Sequence, residues 1–165
     1  MRRIVCLVVG LCILTIAARA QTIPKILWDT WKIERYLPTR TISCWGESDA
    51  RKVTGTDIEY SANVFRWQAI SVKNPSVENR VVTAEQFAAE NSAMDAEGSQ
   101  VNFRELRIKA KSAEQISIPH PPARVTGQTG EIPGDKVWVK NPKTIVFSLC
   151  NLYFEAKRVQ ENYKR

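Results

Sequence analysis

The last third of the chain is what most restricts its fold. "KVWVK", "TIVFSLC" and "LYFEAKRV" are three short runs rich in β-branched and aromatic residues, separated only by "NPK" and by a tight turn near Asn151. Connections this short join antiparallel neighbours and leave no room for a crossover helix. The three runs therefore read as an antiparallel meander. The same two-residue period recurs in "WDTWKIERYL" over residues 28–37. Trp31, Ile33, Arg35 and Leu37 fall on one face of that strand, with Lys32, Glu34 and Tyr36 on the other. Pro38 ends the run.

Between these ends the pattern stays β-rich. "TDIEY" and "NVFRW" read as a hairpin across Ser61 and Ala62, and "AISV" continues it or starts a third strand. "KNPS" is a turn, and "ENRVVT" and "EQISI" are further strands, the latter stopped by "PHPP". Two short helices interrupt the series. "ESDARKVTG" has Ser48 as a cap, Asp49 in the first turn and Gly55 as a stop. "TAEQFAAENS" opens on a Thr83–Gln86 capping box. "NFRELRI" begins at a possible Asn102 cap and reads as one helical turn before a strand. "AMDAEGSQ" is a loop, and the glycine-rich "TGQTGEIPG" reads as a hairpin connection, since it lacks the lysine of a phosphate loop. About eight short strands with two or three short helices predict a mainly β domain, either a closed antiparallel barrel or a strongly curved sheet.

The N-terminus has the layout of an export signal. Arg2 and Arg3 precede the apolar "IVCLVVGLCILTIAA", and "ARA" at residues 18–20 is a small-x-small cleavage pattern. The apolar run is shorter than the roughly 20 residues of a spanning helix and is closed by Arg19, so no stable membrane anchor is expected. Neither Cys6 nor Cys12 follows the small residue that lipid attachment requires. The reading is a signal peptide over 1–20 and a single domain over 21–165, periplasmic or secreted. Three arginines leave with the signal, which lowers the formal net charge from +7 to about +4. No basic stripe with stacking aromatics accompanies this excess, so no nucleic-acid partner is expected. Cys44 and Cys150 remain, and an oxidising compartment makes them a disulfide. Closing a loop of about 105 residues would contribute ~4–5 kcal/mol in the chain-entropy account.

Four stretches, "TWKI", "GTDIEY", "FRELRI" and "YFEAKRV", touch most of the mature chain. Through them the chain resembles the lipocalin-like (calycin) barrels, and more closely a group of small exported bacterial proteins with lipocalin-like features and no assigned function. The resemblance implies that Trp31 packs beneath Arg158 and that this pair plugs one end of the barrel. An indole–guanidinium stack contributes about 0.5–2 kcal/mol. The family's glycine two positions before that tryptophan is Asp29 here.

Catalytic chemistry finds little support. His120 is the only histidine and its setting in "PHPP" reads as an exposed loop, with no nucleophile motif. Too few His and Cys are present for a zinc site, and no cofactor is expected. Asp49, Asp57 and Asp135 are scattered singly. Alternation from Trp31 places Ile33, Arg35, Ile58, Tyr60, Phe65, Trp67, Ile116, Ile118, Phe147, Phe154 and Arg158 toward the axis. That lining fits either a packed core or a small-ligand pocket. The expectation is a non-enzymatic binding protein holding a small hydrophobic or amphipathic ligand on Arg35, Tyr60, Trp67, Phe147 and Phe154. The alternative is a periplasmic protein–protein interaction or inhibitor module with a filled barrel, docking an envelope protein on exposed aromatics such as Trp45 and Trp138.

Overall fold

The computed structural model describes residues 22–40, 43–91, 101–123 and 130–159. The expected signal segment, the "AMDAEGSQ" loop and the first four residues of "TGQTGEIPG" lie outside them. The elements, in chain order, are β1 (Asp29–Leu37), α1 (Glu47–Val53), β2 (Asp57–Tyr60), β3 (Val64–Trp67), β4 (Ile70–Lys73), β5 (Glu78–Thr83), α2 (Ala84–Glu90), β6 (Ser112–Ser117), β7 (Lys136–Asn141), β8 (Thr144–Leu149) and β9 (Leu152–Arg158). One nine-stranded sheet runs in the order β4-β3-β2-β1-β9-β8-β7-β6-β5, and every neighbouring pair is antiparallel. The sheet is strongly curved and its two edges are not joined by a ladder. The count is one strand above expectation because "AISV" is a strand of its own.

The curvature follows from chain length. Strands β4 and β5 are consecutive in sequence yet lie at opposite edges. Nine strands laid flat would put those edges about 38 Å apart at ~4.8 Å per step. Only residues 74–77 connect them, and that segment reaches about 18 Å when fully stretched. The sheet therefore has to roll until its edges approach. Eight antiparallel steps separate β4 from β5, so the two edges run in the same direction. An antiparallel ladder cannot continue across that seam.

Rolling gives the sheet an inside. Trp31, Ile33, Ile58, Tyr60, Phe65, Trp67, Ile116, Ile118, Val137, Ile145, Phe147 and Phe154 are buried together there. The Phe147 and Phe154 rings, cross-strand partners on β8 and β9, stack at 5.2 Å. Tyr60 and Phe65 stack at 5.3 Å. A second core lies on the outer face, where Leu37, Val82, Trp138, Val146 and Tyr153 are covered by Phe87 of α2 and by Val101, Phe103, Leu106 and Ile108. Trp138 is therefore fully buried, with Phe87 packed edge-on at 5.1 Å. Trp45 is buried as well, in the inner cluster. Neither is the exposed anchor that the sequence predicted. Alternation assigns a side chain to a face and does not say whether another element roofs that face.

Local signals account for most boundaries. Thr83 caps α2, its Oγ1 accepting from Gln86 N–H at 3.2 Å while Gln86 Oε1 accepts from Thr83 N–H at 3.0 Å. The cap of α1 is Gly46 rather than Ser48, and Ser48 lies inside the helix. Asn102 Oδ1 accepts from Glu105 N–H at 3.1 Å and holds a single turn; no strand follows until β6, which starts at Ser112. The β8–β9 turn is Cys150–Asn151, with φ of +52° and +63°. Two left-handed residues in a two-residue loop match the twist of the flanking strands.

Truncating a stacked interior ring should leave a cavity that the rolled sheet cannot collapse onto. Phe147→Ala is expected to lower unfolding free energy by about 3–5 kcal/mol in urea titrations, with the slope unchanged.

Candidate functional site

The first strand changes faces partway along. Between Ile33 and Arg35 the register with β9 shifts, Ile33 standing opposite Ala156 and Arg35 opposite Glu155. The bulged Glu34 adds one residue, which reverses the alternation beyond it. Trp31 and Ile33 face the interior; Leu37 belongs to the outer core. Arg35 is thereby turned out of the interior, correcting its expected inward position. Its Nη2 donates to Glu155 Oε1 at 2.6 Å, and Lys140 Nζ donates to Glu155 Oε2 at 2.7 Å. Burial alone would push the Glu155 carboxyl up. Hydrogen bonds from Lys140 and Arg35, with their charge, outweigh it and hold that carboxyl below its ordinary value.

The other proposed contacts do lie inside, and their polar atoms are engaged. Tyr60 Oη donates to Gly134 O at 2.6 Å, and Trp67 Nε1 donates to Thr56 Oγ1 at 2.9 Å. Burial, then the charge of Asp135, raises the Tyr60 phenol well above its usual range. Phe147 and Phe154 use their faces on each other. The first four residues of β1 carry the other feature the resemblance implied. The Arg158 guanidinium lies 4.7 Å over the Trp31 ring, and the two residues are cross-strand partners. Trp31 Nε1 donates to Leu27 O at 2.6 Å. Arg158 Nη1 donates to Asp29 Oδ2 at 3.0 Å and Nη2 to Ile26 O; its buried Nε finds no partner among the described residues. Asp29 itself has φ of +137°, a conformation that favours glycine. Its carboxylate thus gains an ion pair at a position where the backbone is strained.

The most elaborate polar surface lies elsewhere, where β6 ends, β7 begins and the β8–β9 turn approaches. A cleft of about 460 Å³ is lined there by Ser117, Ile118, His120, Glu131, Asp135, Lys136 and Ser148, among others. Cross-strand pairing sets Ser117 opposite Lys136. His120, read from sequence as exposed, has a side chain only 7% accessible. Its Nε2 is 2.9 Å from Asp135 Oδ2, and its Nδ1 is 2.7 Å from Pro121 O. Asp135 Oδ2 also accepts from Ile132 N–H at 2.9 Å. Burial raises the Asp135 carboxyl, partly offset by the Ile132 and His120 hydrogen bonds. The sequence signal for this pair was thin: a single histidine beside prolines, and an aspartate closing "IPGD" fifteen residues later. Cys44 and Cys150 stand at disulfide distance beside the same rim, with a Cα separation of 5.6 Å. Ser43 Oγ donates to Cys150 O at 2.6 Å, and Glu131 Oε2 accepts from Cys150 N–H at 2.6 Å.

Among the described residues, no group of three or more His, Cys, Asp or Glu is placed to hold a metal ion, and no helix is long and apolar enough to cross a membrane. No family model matches the sequence, and neither a curated protein nor a solved structure matches it.

Two outcomes follow from this geometry. A Cβ at position 134, where φ is +87°, would collide with Tyr60 Oη and come within 2.9 Å of Ile58 Cδ1. Gly134→Ala should cost about 2–5 kcal/mol in urea unfolding, from left-handed strain plus overpacking. The depressed Glu155 carboxyl contributes stability that is present above its unfolded value of 4.5 and is lost as pH falls through its lower folded value. Glu155→Gln should therefore flatten the acid limb of the stability profile, and at neutral pH should cost about 1–3 kcal/mol by leaving Lys140 without its partner.

Proposed function

We propose that this chain is an exported, non-enzymatic binding protein that recognises a polypeptide partner at its rim, with the rolled sheet as a filled scaffold. The observation that carries this reading is the interior. Tyr60 stacks on Phe65 and Phe147 on Phe154, and Trp31, Phe65, Phe147 and Phe154 are fully buried. Its polar handles, Tyr60 Oη and the Trp31 and Trp67 indole N–H groups, already donate to protein oxygens. An interior ligand would have to displace these contacts without inheriting a free donor. The rim cleft offers hydroxyl, ammonium and carboxylate groups of both signs, the chemistry of a polar peptide contact. Export is supported by the "ARA" cleavage pattern behind the apolar run and by the paired cysteines. The Trp31–Arg158 stack supports kinship with lipocalin-like barrels as a scaffold.

Native mass spectrometry of the protein purified from its exported fraction tests the interior directly. The expected species is the chain from Gln21 onward with no adduct. A stoichiometric hydrophobic molecule, released on unfolding, would instead favour a small ligand within the sheet. Site-specific crosslinking from the cleft tests the rim. A polypeptide captured by the wild type should be lost at least tenfold on Ser148→Arg, with the urea midpoint unchanged; capture that survives the substitution would remove the cleft from the reading.

A further inference from the structure

A second concavity lies on the outer face, at the opposite end of β9 from the β8–β9 turn. Its volume is about 590 Å³, and its lining includes Lys32 of β1, Lys157 of β9, Lys143 of the β7–β8 turn and Thr144 of β8. It shares no residue with the rim cleft. Strand register brings these groups together. Lys32 stands directly opposite Lys157, and Thr144 stands opposite Lys157 on the other side. Residues paired in this way point to one face, with Cβ atoms about 4.5–5.5 Å apart, and two like charges at that spacing destabilise a sheet. The nearby carboxylates offset them little. Glu34, the bulged residue, reaches Lys157 only at 3.7 Å, with both side chains exposed. Asp57 is the β2 partner of Lys32, and no ion pair joins them. Lys143 has no ion-pair partner among the described residues. Arg158 also lines the groove, but its guanidinium is committed to the Trp31 ring and Asp29.

The floor of the groove adds a hydroxyl. Gln115, Thr144 and Glu155 are the buried polar side chains among the described residues, and Thr144 is only 9% accessible. Gln115 accepts from Arg80 and Trp138, and Glu155 accepts from Arg35 and Lys140. The Thr144 hydroxyl has no hydrogen-bond partner among the described residues, and a buried polar group left so is costly. Asn141 uses Oδ1 on the Lys143 N–H and keeps its Nδ2 as a further donor. The uncommitted polar groups are therefore donors, which suits an anion rich in acceptor oxygens. Three ammonium groups exceed what one carboxylate neutralises and match a phosphoryl group, with about two negative charges and three acceptor oxygens. Val159, an exposed large apolar residue, lies in the same lining.

We propose that this groove binds the phosphoryl group of a small phosphate monoester, with the Lys32, Lys143 and Lys157 ammonium groups and the Thr144 hydroxyl as donors and Val159 against the ester's apolar part. Asp29, Glu34 and Asp57 border the cations and would repel an extended anionic surface. The occupant is therefore a discrete ligand rather than a bilayer or a nucleic-acid backbone. The site is separate from the rim cleft and holds whatever the rim binds.

Titration of the exported protein with n-hexyl phosphate near neutral pH, followed by backbone amide shifts, tests the site. Saturable shifts at Lys32, Lys143, Thr144 and Lys157 are expected, with a Kd of about 1 mM or tighter, and added chloride should weaken them. Lys32→Gln and Thr144→Val should each weaken binding about tenfold, the scale of one charge-assisted hydrogen bond, without lowering the urea midpoint. Glu34→Gln should tighten it about threefold, because it removes the carboxylate that competes for Lys157. Lys73→Gln, which takes the same charge from β4, should leave it unchanged. The absence of saturable shifts, hexanoate binding as tightly as hexyl phosphate, or Lys73→Gln weakening binding as much as Lys32→Gln would each overturn the site. Capture by phosphatidylglycerol vesicles with no response to hexyl phosphate would overturn it too, and would mark the face as a membrane contact.

Discussion

Everything in this molecule depends on a four-residue connection. Residues 74–77 must carry the chain from one edge of a nine-stranded sheet to the other. No flat arrangement allows it, because the edges would lie about twice as far apart as the segment can stretch. The sheet is rolled by covalent geometry before any side chain is considered. Apolar burial then fills the resulting inside, with Val77 from the connection itself joining the inner cluster. Two further features follow from the roll. The edges run in the same direction, so the antiparallel ladder stops there, and no ladder joins them. The outer face becomes convex and needs its own cover, which α2 and residues 101–108 provide.

A single inserted residue decides what the inside contains. Without the bulge at Glu34, Arg35 would stand opposite Phe154 in an apolar interior, where an unpaired guanidinium is costly. With it, Arg35 meets Glu155 on the outer face, Leu37 joins the outer core and Tyr36 turns toward the inner one. The bulge therefore separates a dry interior from a charged exterior along one strand. It also explains why Glu155, although buried, remains ionised: two cations reach it from β1 and β7.

These two constraints explain what could be read from residue order. The C-terminal meander, the α2 capping box and most of the inward list were legible because period-two alternation and short turns are local properties. Ile58, Tyr60, Phe65, Trp67, Ile116, Ile118, Phe147 and Phe154 all fall where alternation puts them. Arg35 did not, because a bulge shifts parity without leaving a composition signature. Trp138 was read as exposed because a strand pattern names faces and is silent about roofs. His120 and Asp135 were invisible as a pair, since only the roll and the return of the chain before β7 bring them together. The Ser48 cap failed for a smaller reason: the helix starts two residues earlier at Gly46, whose carbonyl accepts from Asp49 and Ala50 N–H while its own N–H donates to Asp49 Oδ2.

The rim is where the molecule concentrates non-apolar constraint, and the constraints are of different kinds. The Cys44–Cys150 pair ties an early segment to the β8–β9 turn, and that turn holds two left-handed non-glycine residues. Glu131 bridges from the next turn to the Cys150 amide, and the His120–Asp135 contact fastens that turn to the end of β6. The opposite pole of β1 is built otherwise, with an indole beneath a guanidinium and a carboxylate on a strained backbone. A cation stacked on an aromatic ring is insensitive to mild pH and to thiol exchange, because arginine keeps its proton and no sulfur takes part. The rim is fastened by a sulfur pair and by the His120–Asp135 contact, and the oxidation state of a sulfur pair follows its surroundings. The fold thus places an arginine–indole stack at one pole of β1 and a sulfur pair with polar side-chain contacts around the cleft. That division separates the rim from the packed interior, so a substitution at the cleft need not disturb the stacked rings.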